Sequence, residues 1–230
     1  MPSGTSEPHY KGKSLSGWIS ETGQETSRER TQAIVSLARF GSKAKAAVPA
    51  LKRLLNDRSY LVQEMAATAI VEIERSDESV AIALAELLKR KNSAVRAAAA
   101  KALGRMGANA EVAFSALGES LVDVDDSVRE AAIEALAGIG PSVVPNLIEL
   151  LSDSDEDIQR GSIAVLGMLG AKAKASASHL RQLLTDKSVS ESAEWALRKI
   201  RQGRSARWSC EDRDALRRLV CRERIGPLEE

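Results

Sequence analysis

The apolar residues of this chain recur at a spacing that predicts short helices with one buried face. In residues 95–107, five side chains fall on one side of a helix drawn at 100° per residue: Val95, Ala99, Ala102, Leu103 and Met106. The same side of residues 128–140 carries their counterparts: Val128, Ala132, Ala135, Leu136 and Ile139. The two stretches therefore predict two amphipathic helices of one design.

This pattern belongs to a repeat that fills most of the chain. Weaker copies begin at Glu29, Val62, Ile158 and Val189, so successive starts lie 33, 33, 33, 30 and 31 residues apart. A second apolar motif precedes each copy and is anchored by one large side chain: Trp18, Leu51, Leu84, Leu117, Leu147 and Leu180. A fixed period of this length indicates stacked helix pairs, because one pair alone cannot bury its apolar face.

Residue types at the ends of the predicted helices agree with this interpretation. Residue types that cap helix N-termini stand between the two helices of a pair: Asn56-Asp57, Asn92-Ser93, Asp125-Asp126-Ser127, Ser154-Asp155 and Asp186-Lys187-Ser188. Glycines follow the second helix of several pairs, where a left-handed C-cap favours them: Gly41, Gly107, Gly140 and Gly170.

Two motifs carry a family resemblance. The second helices read Val-Arg-x-Ala-Ala-x-x-Ala-Leu-Gly-x-(Ile/Met)-Gly and the first helices read Ala-Val-Pro-x-Leu. They resemble HEAT-like repeats, and more narrowly the short bacterial type named after the phycobilisome lyases. The resemblance implies an all-α fold, an α-solenoid of about six two-helix repeats over residues 14–203. We expect a flexible segment before it, residues 1–13, and a C-terminal capping helix and tail after it, residues 204–230.

The amino-acid composition limits the kinds of structural and cofactor sites that the chain can contain. Only 3% of the residues are aromatic, which suits a core of alanine and aliphatic side chains, and two cysteines with two histidines argue against a disulfide scaffold or a multi-ligand zinc module. No apolar run reaches the roughly 18 residues needed to cross a bilayer, and the polar start lacks the apolar stretch of a secretory signal. We expect a cytoplasmic protein with no cofactor and no membrane insertion.

The resemblance implies a binding protein more than an enzyme. HEAT-like hydroxylases hold two irons with His-Glu pairs, whereas neither His9 nor His179 is followed by glutamate here. The expected function is therefore a non-catalytic scaffold or adaptor that binds another protein on the concave face of the solenoid. Two alternatives stay open at this stage. One is a subunit of a bilin lyase or chromophore-handling complex, and the other is nucleic-acid binding through the basic ends of the chain.

The exposed face of the second helices is the candidate partner surface. Its charged residues are Glu64, Lys101, Glu130, Glu134, Arg160, Glu191 and Glu194. Five acids against two bases make the face acidic, so a phosphate backbone would be repelled and a basic or amphipathic helix would be attracted. A neighbouring column is mostly small and predicts a groove for another chain: Ala38, Val71, Gly104, Ala137, Gly167 and Arg198.

Two further sets complete the prediction. Arginines at the edge of the second helices could bond to aspartates in the turns, as a structural ladder: Arg30, Arg96 and Arg129 with Asp57 and Asp126. An amphipathic stripe with basic neighbours near the C-terminus predicts a capping or docking helix: Trp208, Leu216, Leu219, Arg217 and Arg218. Charge is unevenly distributed, since residues 111–160 hold twelve acids and two bases whereas residues 1–60 hold ten bases and five acids.

Overall fold

The computed structural model describes residues 7–203, and within them the fold is all-α, as the repeat predicts. The α-helices of this range are α1 (Leu15–Glu21), α2 (Ser27–Arg39), α3 (Val48–Leu54), α4 (Tyr60–Ile73), α5 (Glu78–Leu87), α6 (Ser93–Met106), α7 (Phe114–Glu119), α8 (Asp126–Ile139), α9 (Val144–Leu150), α10 (Glu156–Leu169), α11 (Ala177–Gln182) and α12 (Ser190–Gln202). Six 3₁₀ segments adjoin them: Gly41–Ala47, Gly107–Ala113, Ser120–Val122, Pro141–Val143, Gly170–Ser176 and Leu183–Thr185.

The helices form pairs, each with a short first helix and a longer second helix. The chain divides into two compact units, Met1–Ala113 and Phe114–Glu230. In the first unit α4 lies between α2 and α6 and contacts both, while α1, α3 and α5 each pack on the second helix of their own pair. The second unit repeats the arrangement, with α10 between α8 and α12. Each unit is thus a stack of three repeats, the arrangement of an α-solenoid.

The second helices begin where the sequence supplies a cap. The Asn92 side chain accepts a hydrogen bond from the Val95 amide at 3.1 Å, at the start of α6. Asp125 does the same for the Ser127 amide at 2.9 Å, at the start of α8. Each such acceptor satisfies an amide that has no partner within the helix, and it contributes about 1 kcal/mol to stability.

The apolar stripe that the sequence predicts on the second helices is buried and forms the core of the repeats. Val95, Ala99 and Leu103 on α6 are completely buried, and so are Val128 and Leu136 on α8. Alanine at recurring positions lets neighbouring helices approach closely, which removes the need for aromatic side chains in the core.

Glycines at the ends of second helices turn the chain sharply into the next repeat. Gly107, Gly140 and Gly170 have φ of 61°, 106° and 56°, as the expected glycine C-caps require. Their ψ values of −136°, −158° and −130° lie outside the left-handed helical region that the sequence predicts, in a region populated essentially by glycine alone. A 3₁₀ segment begins at each of these glycines or at the residue after it, so the backbone leaves the helical turn there.

The bend at Gly140 also bears on membrane crossing. No single helix among residues 7–203 is both long enough and apolar enough to span a bilayer. One pair reaches that length and hydropathy only together, α8 with Pro141–Leu150, and the two are bent by 102°.

The structure shows where the chain loses residues between the fourth and fifth repeats, whose starts lie 30 residues apart instead of 33. The 3₁₀ segment that precedes the first helix of a pair has seven residues at Gly107–Ala113 and at Gly170–Ser176 but three at Pro141–Val143. Neither α8 nor α9 loses a turn. The repeat therefore shortens in its connection and keeps its packed helices intact.

A hairpin lies within the segment for which the sequence predicts flexibility. His9–Tyr10 and Lys13–Ser14 pair antiparallel, and the Trp18 indole N–H donates to the Tyr10 carbonyl at 2.9 Å. The Tyr10 ring meets the Phe40 ring edge to face, with centroids 6.2 Å apart. Residues 9–14 thus cover the first repeat, an element that polar composition alone does not reveal.

Close approach of α10 and α12 requires glycine at position 167. A Cβ atom placed on Gly167 would overlap the Trp195 indole, coming within 2.8 Å of Cε3 and 2.9 Å of Cη2. Real Cβ atoms essentially never come so close, and Trp195 is itself buried. The small residue serves packing inside the second unit.

We expect Gly167→Ala to lower the free energy of unfolding by about 1–3 kcal/mol, because the added methyl group forces the indole from its place. Urea denaturation followed by circular dichroism measures the change. The matched control is Gly118→Ala on α7, where the nearest atom is Leu150 Cδ1 at 4.0 Å. That control should be neutral or stabilising by less than about 1 kcal/mol. Equal losses in the two variants would contradict this account of Gly167.

Candidate protein-binding surface

One hydrogen bond recurs at the start of the second helices. A side chain near the first turn donates to the backbone carbonyl six residues earlier, in the turn between the two helices. Arg30 bonds to the Gln24 carbonyl at 2.8 Å, and Arg96 bonds to the Arg90 carbonyl at 2.8 Å. Three further side chains repeat it: Gln63 to Asp57, Arg129 to Asp123 and Gln159 to Asp153. Arginine and glutamine are interchangeable here because both carry an N–H that reaches this carbonyl.

Arg30 also joins its own repeat to the next one. Its Nε lies 2.7 Å from Asp57 Oδ2, its Nη2 donates to Asp57 Oδ1 at 2.9 Å, and the two side chains are only 7% and 8% exposed. Asp57 accepts in addition from the Ser59 amide at 2.8 Å. The pair is thus held by one hydrogen bond, from Nη2, and by the attraction of opposite charges at close range.

The other predicted arginines, Arg96 and Arg129, also bond within their own repeats. Arg129 bonds to Asp126 within the first turn of α8, and Asp126 is 63% exposed. Arg96 donates to the Arg90 and Lys91 carbonyls of its own turn. The structure thus brings Arg30 and Asp57 together across two repeats, whereas the bond between Arg129 and Asp126 stays within one.

The acidic residues of the turns act as caps. Asp186 accepts from the Ser188 hydroxyl at 2.7 Å and from the Ser188 amide at 2.9 Å, and these hydrogen bonds hold its pKa below the ordinary value. Hydrogen bonds from the Ser79 hydroxyl and amide lower the pKa of Asp77 in the same way at the start of α5. No group of three or more His, Cys, Asp or Glu side chains within residues 7–203 is placed to hold a metal ion.

The histidines are separate from one another. His9 lies in the hairpin, where its Nδ1 is 2.7 Å from the Glu7 carbonyl oxygen. His179 is exposed on α11 beside Ser178.

In the first unit, the predicted partner face carries balanced charge. Glu64 is half-buried on α4 and Lys101 is exposed on the adjacent helix α6. One acid and one base leave no net charge there. The acidic character that the sequence assigns to the whole face therefore does not come from this unit.

In the second unit, the same face is acidic. Glu130 and Glu134 lie four residues apart on α8, and Glu191 and Glu194 lie three apart on α12, so each pair shares one side of its helix. Glu134 and Glu194 are exposed, and neither makes a hydrogen bond or an ion pair with any of residues 7–203. Like charges at these spacings destabilise an isolated helix by about 0.2–0.5 kcal/mol, so helix stability does not explain Glu134 and Glu194. Glu191 differs, because it lies in the first turn of α12, where the helix dipole favours an acid.

Arg160 lies on α10, between the two acidic helices, and its guanidinium is already bonded. Its Nη2 donates to Asp157 at 2.7 Å, and its Nη1 donates to Glu156 and to the Ser188 carbonyl, each at 3.2 Å. The side chain is 13% exposed. Two acids of its own helix thus oppose its charge, and Arg160 does little to offset the four glutamates.

The column of small residues is covered at two of its six positions. Val71 is completely buried, and Gly167 is buried under the Trp195 indole. At these positions the small side chains admit a neighbouring helix of the same unit, which helical periodicity alone does not reveal. The other positions are half-buried or exposed, so a groove along them stays a prediction: Ala38, Gly104, Ala137 and Arg198.

A groove that the sequence does not reveal lies on the last repeat. It has a volume of about 760 Å³, with α11 and α12 in its walls. Its lining includes apolar side chains, four cations and one acid: Ala177, Leu184, Leu197 and Ile200, with Lys174, Arg181, Arg198 and Arg201, and with Glu194. The one available signal is Arg198, a long cation in a column that is otherwise small. The predicted C-terminal residues Trp208, Leu216, Leu219, Arg217 and Arg218 lie outside the described residues.

Comparison with known families agrees with the repeat. The model for HEAT repeats matches residues 74–137 and 114–200, more than half of the chain. The model for the PBS lyase HEAT-like repeat matches residues 29–57. None of the curated proteins matches this chain.

Solved structures share the fold at low identity. An engineered protein is 23% identical, with a TM-score of 0.53, over 82% of this chain and 97% of that one. A designed armadillo repeat protein is 19% identical, with a TM-score of 0.50, over 81% and 99%. A chain of the CpcE–CpcF complex of phycocyanin lyase from Nostoc sp. is 18% identical, with a TM-score of 0.51, over 96% and 99%. These likenesses show the solenoid fold.

The ion pair between Arg30 and Asp57 predicts unequal effects of removing two aspartates. We expect Asp57→Ala to lower the free energy of unfolding by about 3–5 kcal/mol, because it leaves the buried Arg30 without its counter-charge. Asp126→Ala removes an exposed partner of Arg129 and should cost less than about 1 kcal/mol. Urea denaturation of both variants checks the difference, and equal losses would contradict it.

Proposed function

This chain belongs to the HEAT repeat family, and we propose that it is a non-catalytic scaffold or adaptor that binds a basic segment of another protein. Solenoids of stacked helix pairs present long exposed helix faces, and these faces are the surfaces that repeat proteins use for binding. The proposed binding surface is the exposed face of α8, α10 and α12. The observation that carries the proposal is the pair Glu134 and Glu194, exposed and without a partner among residues 7–203.

The chemistry of the face defines the class of partner. Four glutamates lie on α8 and α12, and the one cation between them, Arg160, is bonded to acids of its own turn. Lysine or arginine side chains on one side of a helix would meet Glu134 and Glu194 and supply positive charge there. A helix laid against neighbouring helices is an established mode of recognition. Because exposed charge pairs are screened, binding should weaken as ionic strength rises.

A nucleic-acid partner receives less support. The acidic face repels a phosphate backbone, and several cations at the basic N-terminal end already bond within the protein. Lys45 lies 2.6 Å from Glu74 Oε2, and hydrogen bonds from Lys45 and Ser76 lower the pKa of Glu74 to about 2. Arg58 donates to the Glu25 carbonyl at 2.6 Å.

The bilin-lyase alternative rests on fold similarity, and no described residue favours it. Mixing the chain with phycocyanobilin and candidate acceptor proteins tests it directly. The scaffold proposal expects the absorbance spectrum of the pigment to stay that of the free molecule. A covalently attached pigment would overturn the statement that the chain is non-catalytic.

Charge reversal tests the binding surface. We expect Glu130→Lys/Glu134→Lys to reduce recovery of partner proteins at least 10-fold, because both carboxylates of α8 become cations facing a basic segment. The measurement is affinity capture from a lysate of the source organism, with bound proteins quantified by mass spectrometry. Circular dichroism confirms that the variant is folded.

The matched control is Glu119→Lys/Glu149→Lys, which makes the same change of charge at exposed positions on α7 and α9. These first helices lie on the other side of each pair, so the control should recover partners as the wild type does. A partner that is retained equally by both double variants would contradict the proposed surface.

A further inference from the structure

The last repeat exposes two leucines whose counterparts in the earlier repeats are buried. Leu184 is 39% exposed, whereas the residues at the same repeat position are at most 6% exposed: Leu55, Leu88, Leu121 and Leu151. Leu197 is half-buried, whereas its counterparts on earlier second helices are completely buried: Leu103, Leu136 and Leu166. Both leucines line the 760 Å³ groove.

An inner repeat shows what covers such a position. A Cβ atom placed on Gly161 would lie 3.1–3.2 Å from three carbon atoms of Leu121, so the backbone of α10 lies directly on that side chain. Leu121 belongs to one repeat and α10 is the second helix of the next. Leu184 occupies the same place in the sixth repeat. Residues 7–203 contain no repeat after the sixth, so no second helix of a following repeat covers Leu184 there. The groove is therefore the site that a following helix would fill.

The chain itself continues from the edge of this groove. Gly203 lines the groove and has φ 70° and ψ 0°, the left-handed conformation that ends α12 and redirects the backbone. Twenty-seven residues follow it in the sequence. Trp208 is five residues further on, so it can lie up to about 17 Å from Gly203. A tethered segment meets its site at an effective concentration on the order of millimolar.

The sequence of this segment matches the groove. Leu216, Leu219 and Val220 recur at the three- and four-residue spacing that places apolar side chains on one face of a helix. The segment also carries three acids, Glu211, Asp212 and Asp214, which can meet the cations of the groove, and three bases, Arg213, Arg217 and Arg218, so its charged residues balance.

We propose that residues 208–220 dock in the groove of the last repeat, with Leu216 and Leu219 covering Leu184 and Leu197. The segment takes the place of a seventh second helix, and it closes the apolar end of the stack. The groove shares Glu194 with the proposed partner surface. The inference does not rest on the proposed function, because Glu130 and Glu134, which the charge-reversal test changes, do not line the groove.

The native cysteines provide the test. The chain has two cysteines, Cys210 and Cys221. Cys210 lies within the proposed docking segment, and Cys221 directly follows it. A third cysteine is introduced in the groove, by Ala177→Cys or Arg198→Cys, in the full-length chain. Mild oxidation at low protein concentration is followed by non-reducing electrophoresis and peptide mapping by mass spectrometry. The control is Ser115→Cys, an exposed position on α7 two repeats earlier.

We expect a disulfide between the groove cysteine and Cys210 or Cys221 of the same molecule to form at least 10-fold faster than with the control. Equal rates from the groove and control positions would overturn the proposal. Linkage between two molecules would also overturn it, because a second copy would then occupy the groove.

Two neighbouring substitutions distinguish docking of the apolar stripe in the groove from mere proximity caused by the covalent connection. Leu219→Asp places a charge on the apolar stripe and should slow the groove disulfide at least fivefold, with increased binding of an apolar dye. Arg218→Asp introduces the same residue next to the stripe and should leave both measurements near the wild-type values. Equal effects of the two variants would contradict the assigned face.

Discussion

The first five of the six repeats depend on the bond that ties the start of the second helix to the turn before it. The donor is a side chain on the first turn, and the acceptor is a carbonyl six residues earlier, as in Arg30 with Gln24 and Arg96 with Arg90. The tie satisfies a carbonyl that has no helical partner, and it sets the angle between the two helices. Where an aspartate of the next turn also reaches the guanidinium, as Asp57 reaches Arg30, the same group holds two repeats in register.

The acidic residues of the described range fall into two classes. Carboxylates in the turns, such as Asp125 and Asp186, are occupied by amides and hydroxyls and serve the fold. Carboxylates on the exposed sides of α8 and α12, such as Glu134 and Glu194, have no such role within residues 7–203. The binding hypothesis therefore rests on the second class, although net charge alone counts both together.

The sequence predicts the features that depend on local spacing. The buried stripe of Val95, Ala99 and Leu103 and the cap at Asn92 follow from helical periodicity and residue type, and the structure confirms both. The role of Gly167 could not be predicted in this way, because the reason for a glycine there is Trp195, about thirty residues later. The groove could not be predicted for a similar reason. In the sequence Leu184 is equivalent to the buried leucines of its column, and only the structure shows that the helix that would cover it is missing from residues 7–203.

The connection at Pro141–Val143 has an evolutionary consequence. With Gly140 it makes a connection three residues shorter than Gly107–Ala113 or Gly170–Ser176, yet the helices on both sides keep their packing. Selection on the core leaves the length of this connection free, so gains and losses of residues can accumulate there. The same site gives protein engineers a position for inserting a tag or an epitope between two intact repeats.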